Sequence, residues 1–390
     1  MASTRAGAQA LNARLILGIN FESDSPAIAA AESAALLSGV GRGSIAGLEL
    51  GNEPEVYGTL GWYETAAGLP VLGRPVSYDF ASYLHDYATL SRALPATVPL
   101  VGPASGAKRW LAGTGRFLAT EPRVRLATFH LYPLNRCFTP RTSPKFPTIA
   151  NLMAPAAATG LADSVTAAVA TAHARGIPLR VDELNSVSCG GALGVSNTFA
   201  SSLWVLDTLF NMAQVGVDGV NIHTFHGAFY EPFDVSEHAG AWSAEVRPLY
   251  YGLLMFAQAA PPGARLLPTA YRGPATLRAW STRSPDGQVR VVLINDSRAR
   301  AVTVAVHAPD APGPGGPTSA TGVLLRAPHA DATTGVTLGG QSFGASTTTG
   351  ELSGAARSFT LPAAQGGFVA RLPPATAALL TLSRPARPPT

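Results

Sequence analysis

Two glutamates in this 390-residue chain stand where a strand should run out. The first is Glu53, in Leu48-Glu49-Leu50-Gly51-Asn52-Glu53-Pro54, where strand alternation stops at Gly51 and Pro54 closes the run. The second is Glu183, in Leu179-Arg180-Val181-Asp182-Glu183-Leu184-Asn185-Ser186. Side chains alternate across a strand, so Asp182 is expected on the opposite face from Val181 and Glu183, and Glu183 is the carboxylate aimed into an opening. A single strand-terminal glutamate ordinarily makes a salt bridge or caps a helix. Two of them, one inside Asn-Glu-Pro, point to paired acid–base chemistry. Glycoside hydrolysis needs such a pair: one carboxyl protonates the leaving oxygen, while the other attacks the sugar or activates water. His130 and Tyr132 end another strand and are expected to line the same opening, with His130 touching substrate rather than carrying out a chemical step. His223 and His226 accompany His130, but residues three apart on one strand face opposite ways, so no metal site is expected.

The elements that must carry these residues read as βα units. From residue 14 to about 258, apolar or β-branched runs alternate with Ala-rich helical stretches, the pattern of a parallel sheet. Strands are expected at Arg14–Phe21, Ile45–Gly51, Val98–Pro103, Val124–His130, Leu179–Glu183 and Gly219–Phe225. Helices are expected at Ala27–Leu37, Phe80–Ala93, Lys108–Leu118, Asp163–Arg175, Asn197–Val215 and Pro248–Ala259. Glu53 and Glu183 then lie three βα steps apart, able to face one another across a closed sheet. Long connections at Tyr57–Ser77, Tyr132–Thr159 and Gly227–Glu245 all follow strand carboxyl ends, the face on which α/β barrels carry their sites.

After about residue 260 the texture changes to short alternating segments punctuated by turns. Strands at Leu277–Thr282, Gln288–Asn295, Val302–His307, Gly322–Arg326, Ser358–Leu361, Phe368–Leu372 and Ala377–Leu382 read as an antiparallel β domain, interrupted by a Pro/Gly loop at Ala311–Pro317. The tail Ser383–Thr390 is expected to fray.

Composition narrows the function classes. Hydrophobic residues make up 46% and charged residues 13%, which excludes a disordered or coiled-coil chain. The 28 basic and 24 acidic side chains leave a net charge of +4, and the basic ones are nearly all Arg scattered singly, with Lys108-Arg109 the one adjacent pair, so nucleic acid is not an expected partner. No apolar run reaches the roughly 18 residues of a membrane span, and Met1–Gly7 lacks the apolar core of a signal peptide. Two cysteines, Cys137 and Cys189, cannot build a four-ligand zinc site.

The Gly-Asn-Glu-Pro run around Glu53 and the Glu-Leu-Asn-Ser-Val-Ser-Cys-Gly-Gly run from Glu183 resemble glycoside hydrolase family 79, the β-glucuronidase and heparanase family. That family sits in a retaining (β/α)8 clan whose acid/base follows an Asn at the end of the fourth strand and whose nucleophile ends the seventh. The likeness runs through Leu48–Tyr57, Thr128–Pro133, Val181–Ala192, Thr224–Phe233 and Leu324–Thr349. It implies a (β/α)8 (TIM) barrel over residues 1–260 and a carboxy-terminal antiparallel β-sandwich over residues 261–390. It makes Glu53 the general acid/base and Glu183 the nucleophile of an exo-β-glucuronidase. Asn52 would bind the sugar 2-hydroxyl, and Tyr132 would orient the nucleophile. Tyr230 and backbone amides around Cys189-Gly190-Gly191 would hold the glucuronide carboxylate. Ser188 stands where some relatives carry Tyr, so one carboxylate contact is missing or remade. No cofactor is implied, and the partner is a carbohydrate. Cys137 and Cys189 fall just past adjacent strand ends of the family barrel, where either a disulfide or two buried thiols fit; a disulfide would favour an extracellular or periplasmic setting.

Two other readings stay open: the same carboxylates acting on a neutral β-glycoside, and an inactive or carbohydrate-binding remnant. By the resemblance Arg14–Phe21 is the third barrel strand. The chain is therefore expected to be amino-terminally incomplete, its first two strands supplied by an upstream or separate segment.

Overall fold

Six runs rich in Leu, Ile and Val pair as parallel strands: β1 (Leu15–Ile19), β2 (Ile45–Leu50), β3 (Leu100–Ser105), β4 (Val124–Leu131), β5 (Leu179–Leu184) and β6 (Gly219–Ile222). They lie side by side in chain order, a curled half-barrel of the TIM type. This computed structural model describes residues 1–307, 319–363 and 367–383, so the loop Ala311–Pro317 and the tail beyond Ser383 fall outside it. Among the described residues β1 and β6 each have a strand neighbour on one side only. The last strand stops at Ile222 instead of the expected Phe225, which leaves His223 and His226 beyond the pleat.

Helix starts follow local chemistry. Pro26–Leu36 opens with Ser25 accepting from the Ile28 N–H and a proline in its first turn, and Phe80–Ser91 opens with Asp79 accepting from the Ser82 N–H. Helix Phe80–Ser91 packs through its aromatic side chains, which meet Phe21 beyond β1 and Phe117 of Thr114–Thr120. Phe21, Tyr83, Tyr87 and Phe117 are all buried, with the Tyr87 and Phe117 rings edge to face at 5.0 Å. The Tyr87 hydroxyl donates to the Val101 carbonyl at 2.9 Å, whereas the buried Tyr83 hydroxyl has no hydrogen-bond partner among the described residues. All of this belongs to one compact unit, Met1–Leu131 with Asp163–Leu184 and Val215–Ile222.

The second unit comprises Tyr132–Ala162, Asn185–Gln214 and the chain from His223 onward. Its main sheet runs Arg265–Leu267, Leu277–Arg283, Val289–Asn295, Thr376–Ser383, Ser319–Arg326, Thr337–Leu338, with Phe359–Pro362 also pairing Ser319–Arg326. Period-two alternation divides its side chains between two cores. Val292 and Ile294 pack with helices Phe199–Gln214 and Pro248–Ala259. Val291 and Leu293 pack under the strand pair Val302–His307 and Gly367–Leu372, the second layer of a sandwich. Among the described residues no helix is long and apolar enough to cross a membrane.

Candidate active site

β2 delivers Glu53 through an abrupt turn of the backbone. Gly51 has φ 86°, and a Cβ there would lie 2.9 Å from the Tyr57 hydroxyl and 3.0 Å from Phe21 Cβ, so only glycine fits. Glu53 itself is left-handed, φ 48° and ψ 55°, a conformation that costs a non-glycine residue roughly 1–3 kcal/mol and concentrates at functional sites. Neighbours hold it there. The Glu53 N–H donates to the Ala104 carbonyl at 2.8 Å, and the N–H of exposed Asn52 donates to the Tyr57 hydroxyl at 3.0 Å.

His130, on β4, is 4% exposed and joins the two expected glutamates. Its Nδ1 lies 3.1 Å from Glu53 Oε1 and 3.5 Å from Glu183 Oε2. One side-chain atom from each of the three lies within 4.8 Å of the others, a spacing that ligands of one cation would also have. The expectation that Asp182 turns away from Glu183 is corrected: Asp182 Oδ1 lies 3.8 Å from His130 Nε2. The reason is a break in register, for Phe129 pairs with Val181 but His130 pairs with Glu183, so Asp182 bulges out of the ladder.

Further acids surround this centre. Glu49 accepts the Thr128 hydroxyl at 2.6 Å, and Thr128 accepts the Ala104 N–H at 3.1 Å. Burial pushes the Glu49 carboxyl up, against hydrogen bonds from Thr128 and Asp182. Burial and then the Glu49 charge push Asp182 well above the usual carboxylate range. Burial also raises Glu55, opposed by a backbone hydrogen bond and reinforced by the Glu53 charge; its Oε2 has no hydrogen-bond partner among the described residues. Burial alone would lower His130. The hydrogen bond to Glu53 and the charges of Asp182 and Glu183 outweigh it and raise the imidazole to about 9, so it is cationic at neutral pH.

Strand alternation singles out Glu53 and Glu183, with His130 beside them, and the fold brings these three together; it does not single out Glu49, Glu55 or Asp182. Glu49 was findable, because it shares the parity of Gly51 and Glu53 along the strand. A bulge leaves no such signature, so Asp182 was not.

The remaining expected residues lie in the second unit. Short parallel strands Leu134–Asn135 and Val187–Ser188 set Cys137 beside Cys189, and a disulfide joins them with Cα atoms 6.3 Å apart. Cys189, Gly190 and Gly191 all have positive φ, at 67°, 81° and 83°. The Gly191 N–H donates to the Val187 carbonyl at 3.1 Å, and the Gly190 carbonyl accepts from Phe229 at 2.9 Å. Tyr230 is 1% exposed. Its hydroxyl and that of Tyr132 converge on His223 Nδ1, at 2.9 and 2.6 Å. Buried Asn185 ties the two sides of this cluster, its amide donating to the His223 carbonyl at 2.8 Å and the Tyr230 carbonyl at 3.4 Å. His226 is exposed.

No protein-family model matches the sequence, and no curated protein matches it. Solved structures do match in fold. A 4-O-α-L-rhamnosyl-β-D-glucuronidase from Fusarium oxysporum 12S superposes with a TM-score of 0.70 at 19% identity, over 95% of this chain and 77% of that one. A GH51 arabinofuranosidase from Xanthomonas axonopodis pv. citri gives 0.66 at 14%, over 97% and 77%. The bifunctional glucanase-xylanase CelM2, from a metagenome library, gives 0.59 at 13%, over 93% and 69%.

Proposed function

We propose that this chain is a retaining glycoside hydrolase that cleaves β-glucuronides. The observation that carries the reading is the closeness of the Glu53 and Glu183 carboxyl oxygens, within 4.8 Å. Retaining pairs stand roughly 5–5.5 Å apart, whereas inverting pairs leave roughly 6.5–9.5 Å for a water. In the first step the Glu183 carboxylate bonds to the anomeric carbon, the glycosidic bond breaks, and the Glu53 proton passes to the leaving oxygen. In the second, water attacks the anomeric carbon, gives a proton to Glu53 and frees the Glu183 carboxylate. The cationic His130 between them offsets their mutual repulsion whenever both are ionised. The uronide part of the reading rests on the motif resemblance to family 79 and on the glucuronidase among the fold neighbours. The disulfide supports an extracellular or periplasmic setting.

A neutral glycoside is the second reading. It is favoured by the buried Tyr230, whose hydroxyl is on His223 where a sugar carboxylate would need it, and by the arabinofuranosidase neighbour. Assays of the wild type, Glu53→Gln and Glu183→Gln on aryl β-glucuronide and aryl β-glucoside decide between them. Glucuronide turnover should fall about 10³-fold or more in Glu183→Gln and persist with chelator present, and NMR should show the β-anomer as first product. Turnover of the glucoside alone removes the uronide assignment. A first-formed α-anomer removes double displacement, and a folded wild type inert on both removes the enzyme reading.

A further inference from the structure

The connection that continues from Glu53 is built as a fixed root with an apolar tip. At the root, the Arg74 N–H donates to the Tyr57 carbonyl at 3.1 Å, closing the excursion into a loop whose ends meet. The Arg74 side chain is 4% exposed. Its guanidinium donates to the Phe21 and Glu22 carbonyls at 3.0 and 2.9 Å, pairs with Asp24 and Asp86 at 3.1 and 2.9 Å, and lies 5.3 Å from the Phe21 ring centre. Tyr57 in turn fixes Asn52, the residue next to Glu53.

The tip is a two-stranded hairpin, Gly61–Glu64 with Pro70–Leu72, and every residue of its first strand is exposed. Trp62 is 43% and Tyr63 54% exposed, with rings 5.5 Å apart and inclined at 69°, so they offer ring faces in two directions. Leu60, Leu69 and Leu72 are exposed around them. An apolar surface held out by a bolted root marks a binding site. Chemistry identifies what it binds. The general acid donates to the leaving-group oxygen, and the hairpin is the first pair of strands inserted after Glu53 at the carboxyl end of β2. An aromatic face stacks against the C–H face of a sugar ring. Between residues 58 and 73 the only charge is that of Glu64, which repels an anionic ring and leaves sulfate or uronate no cation to pair with.

We propose that this hairpin is the leaving-group platform: Trp62 and Tyr63 hold a neutral sugar ring on the oxygen that Glu53 protonates, so that the natural substrate is a glycan. The inference rests on the hydrolase reading above. Its test compares two substrates with one glycone, a β-glucuronosyl-glucose disaccharide and β-glucuronyl fluoride, whose leaving group is a single atom. In the Trp62→Ala/Tyr63→Ala double variant the ratio of kcat/KM for disaccharide over fluoride should fall about 10-fold, chiefly through KM. Trp62→Phe should restore most of it. An unchanged ratio overturns the platform, as does an equal loss on both substrates or a wild-type dimer dispersed by the double variant while the ratio stands. If the wild type turns over neither substrate, the hydrolase reading fails by itself. Titration with cellobiose then reads the hairpin directly, since saturable binding lost in Trp62→Ala keeps a sugar platform and binding that is absent or unaltered removes it.

Discussion

Glu53 Oε1 lies against bare backbone: a Cβ added at Gly106 would stand 2.6 Å from it and 3.2 Å from Glu55 Oε1. Real Cβ contacts are never so short, and the left-handed Glu53 backbone, pinned to Ala104, cannot yield easily. The Glu53 carboxylate must leave its present position against His130. Gly106→Ala should therefore lower kcat/KM about 100-fold, the usual consequence of an ångström of misplacement at a reacting group, with the melting temperature nearly unchanged. Full activity in a folded Gly106→Ala would show that Glu53 does not act from this position. Such a role is not legible in the sequence. Glu53 and Glu183 could be read because strand alternation and Pro54 locate strand ends, which are local facts. Gly106 matters only through a side chain that arrives from another strand. Tyr230 illustrates the same limit, because its place in a motif said nothing of the His223 ring that takes up its hydroxyl.

At the scale of elements, the βα rhythm was legible because short apolar or β-branched segments recur between Ala-rich helical stretches, and β2, β4 and β5 fall within one residue of their expected bounds. The mouth loops were legible only as lengths. The hairpin Gly61–Glu64 with Pro70–Leu72 buries no face, so it has no alternation to betray it. The disulfided pair of two-residue strands is too short to carry a pattern. That crosslink ties residues 52 apart in sequence, and the loop-closure entropy it removes from the unfolded chain is worth roughly 4 kcal/mol. Cys137→Ser/Cys189→Ser should thus unfold at lower denaturant than the wild type by about that free energy. The loop Cys189-Gly190-Gly191 should also become more readily cleaved by protease. Coincident denaturation curves would mean that Leu134–Asn135 and Val187–Ser188 hold this region without the bond.

Across the whole molecule, the change of texture near residue 260 was legible, but the contacts that build the second unit are not local. Helix Phe199–Gln214 has 13 buried residues and shares a core with strands some 80 or more positions later in the chain, including Val292 and Ile294. Nothing in its own pattern names that partner. Inside this unit one guanidinium faces two buried carboxylates: Arg278 lies 3.4 Å from Asp207 and 3.6 Å from Asp296. Asp207 also accepts the Trp280 indole N–H at 2.8 Å. Asp296 is the worse served, and burial, reinforced by the Asp207 charge against Arg278, lifts it from the usual 3.8 to about 7. A carboxyl raised on folding binds its proton more tightly in the folded state. Its stabilising contribution is complete below about pH 4, is lost as pH rises through about 7, and then stays lost. The full displacement is worth roughly 4 kcal/mol at most. Asp296→Asn removes that dependence, so its melting temperature relative to the wild type should be higher at pH 8 than at pH 4.5. An equal difference at both pH values would mean that Asp296 is ionised throughout and that Arg278 serves both acids.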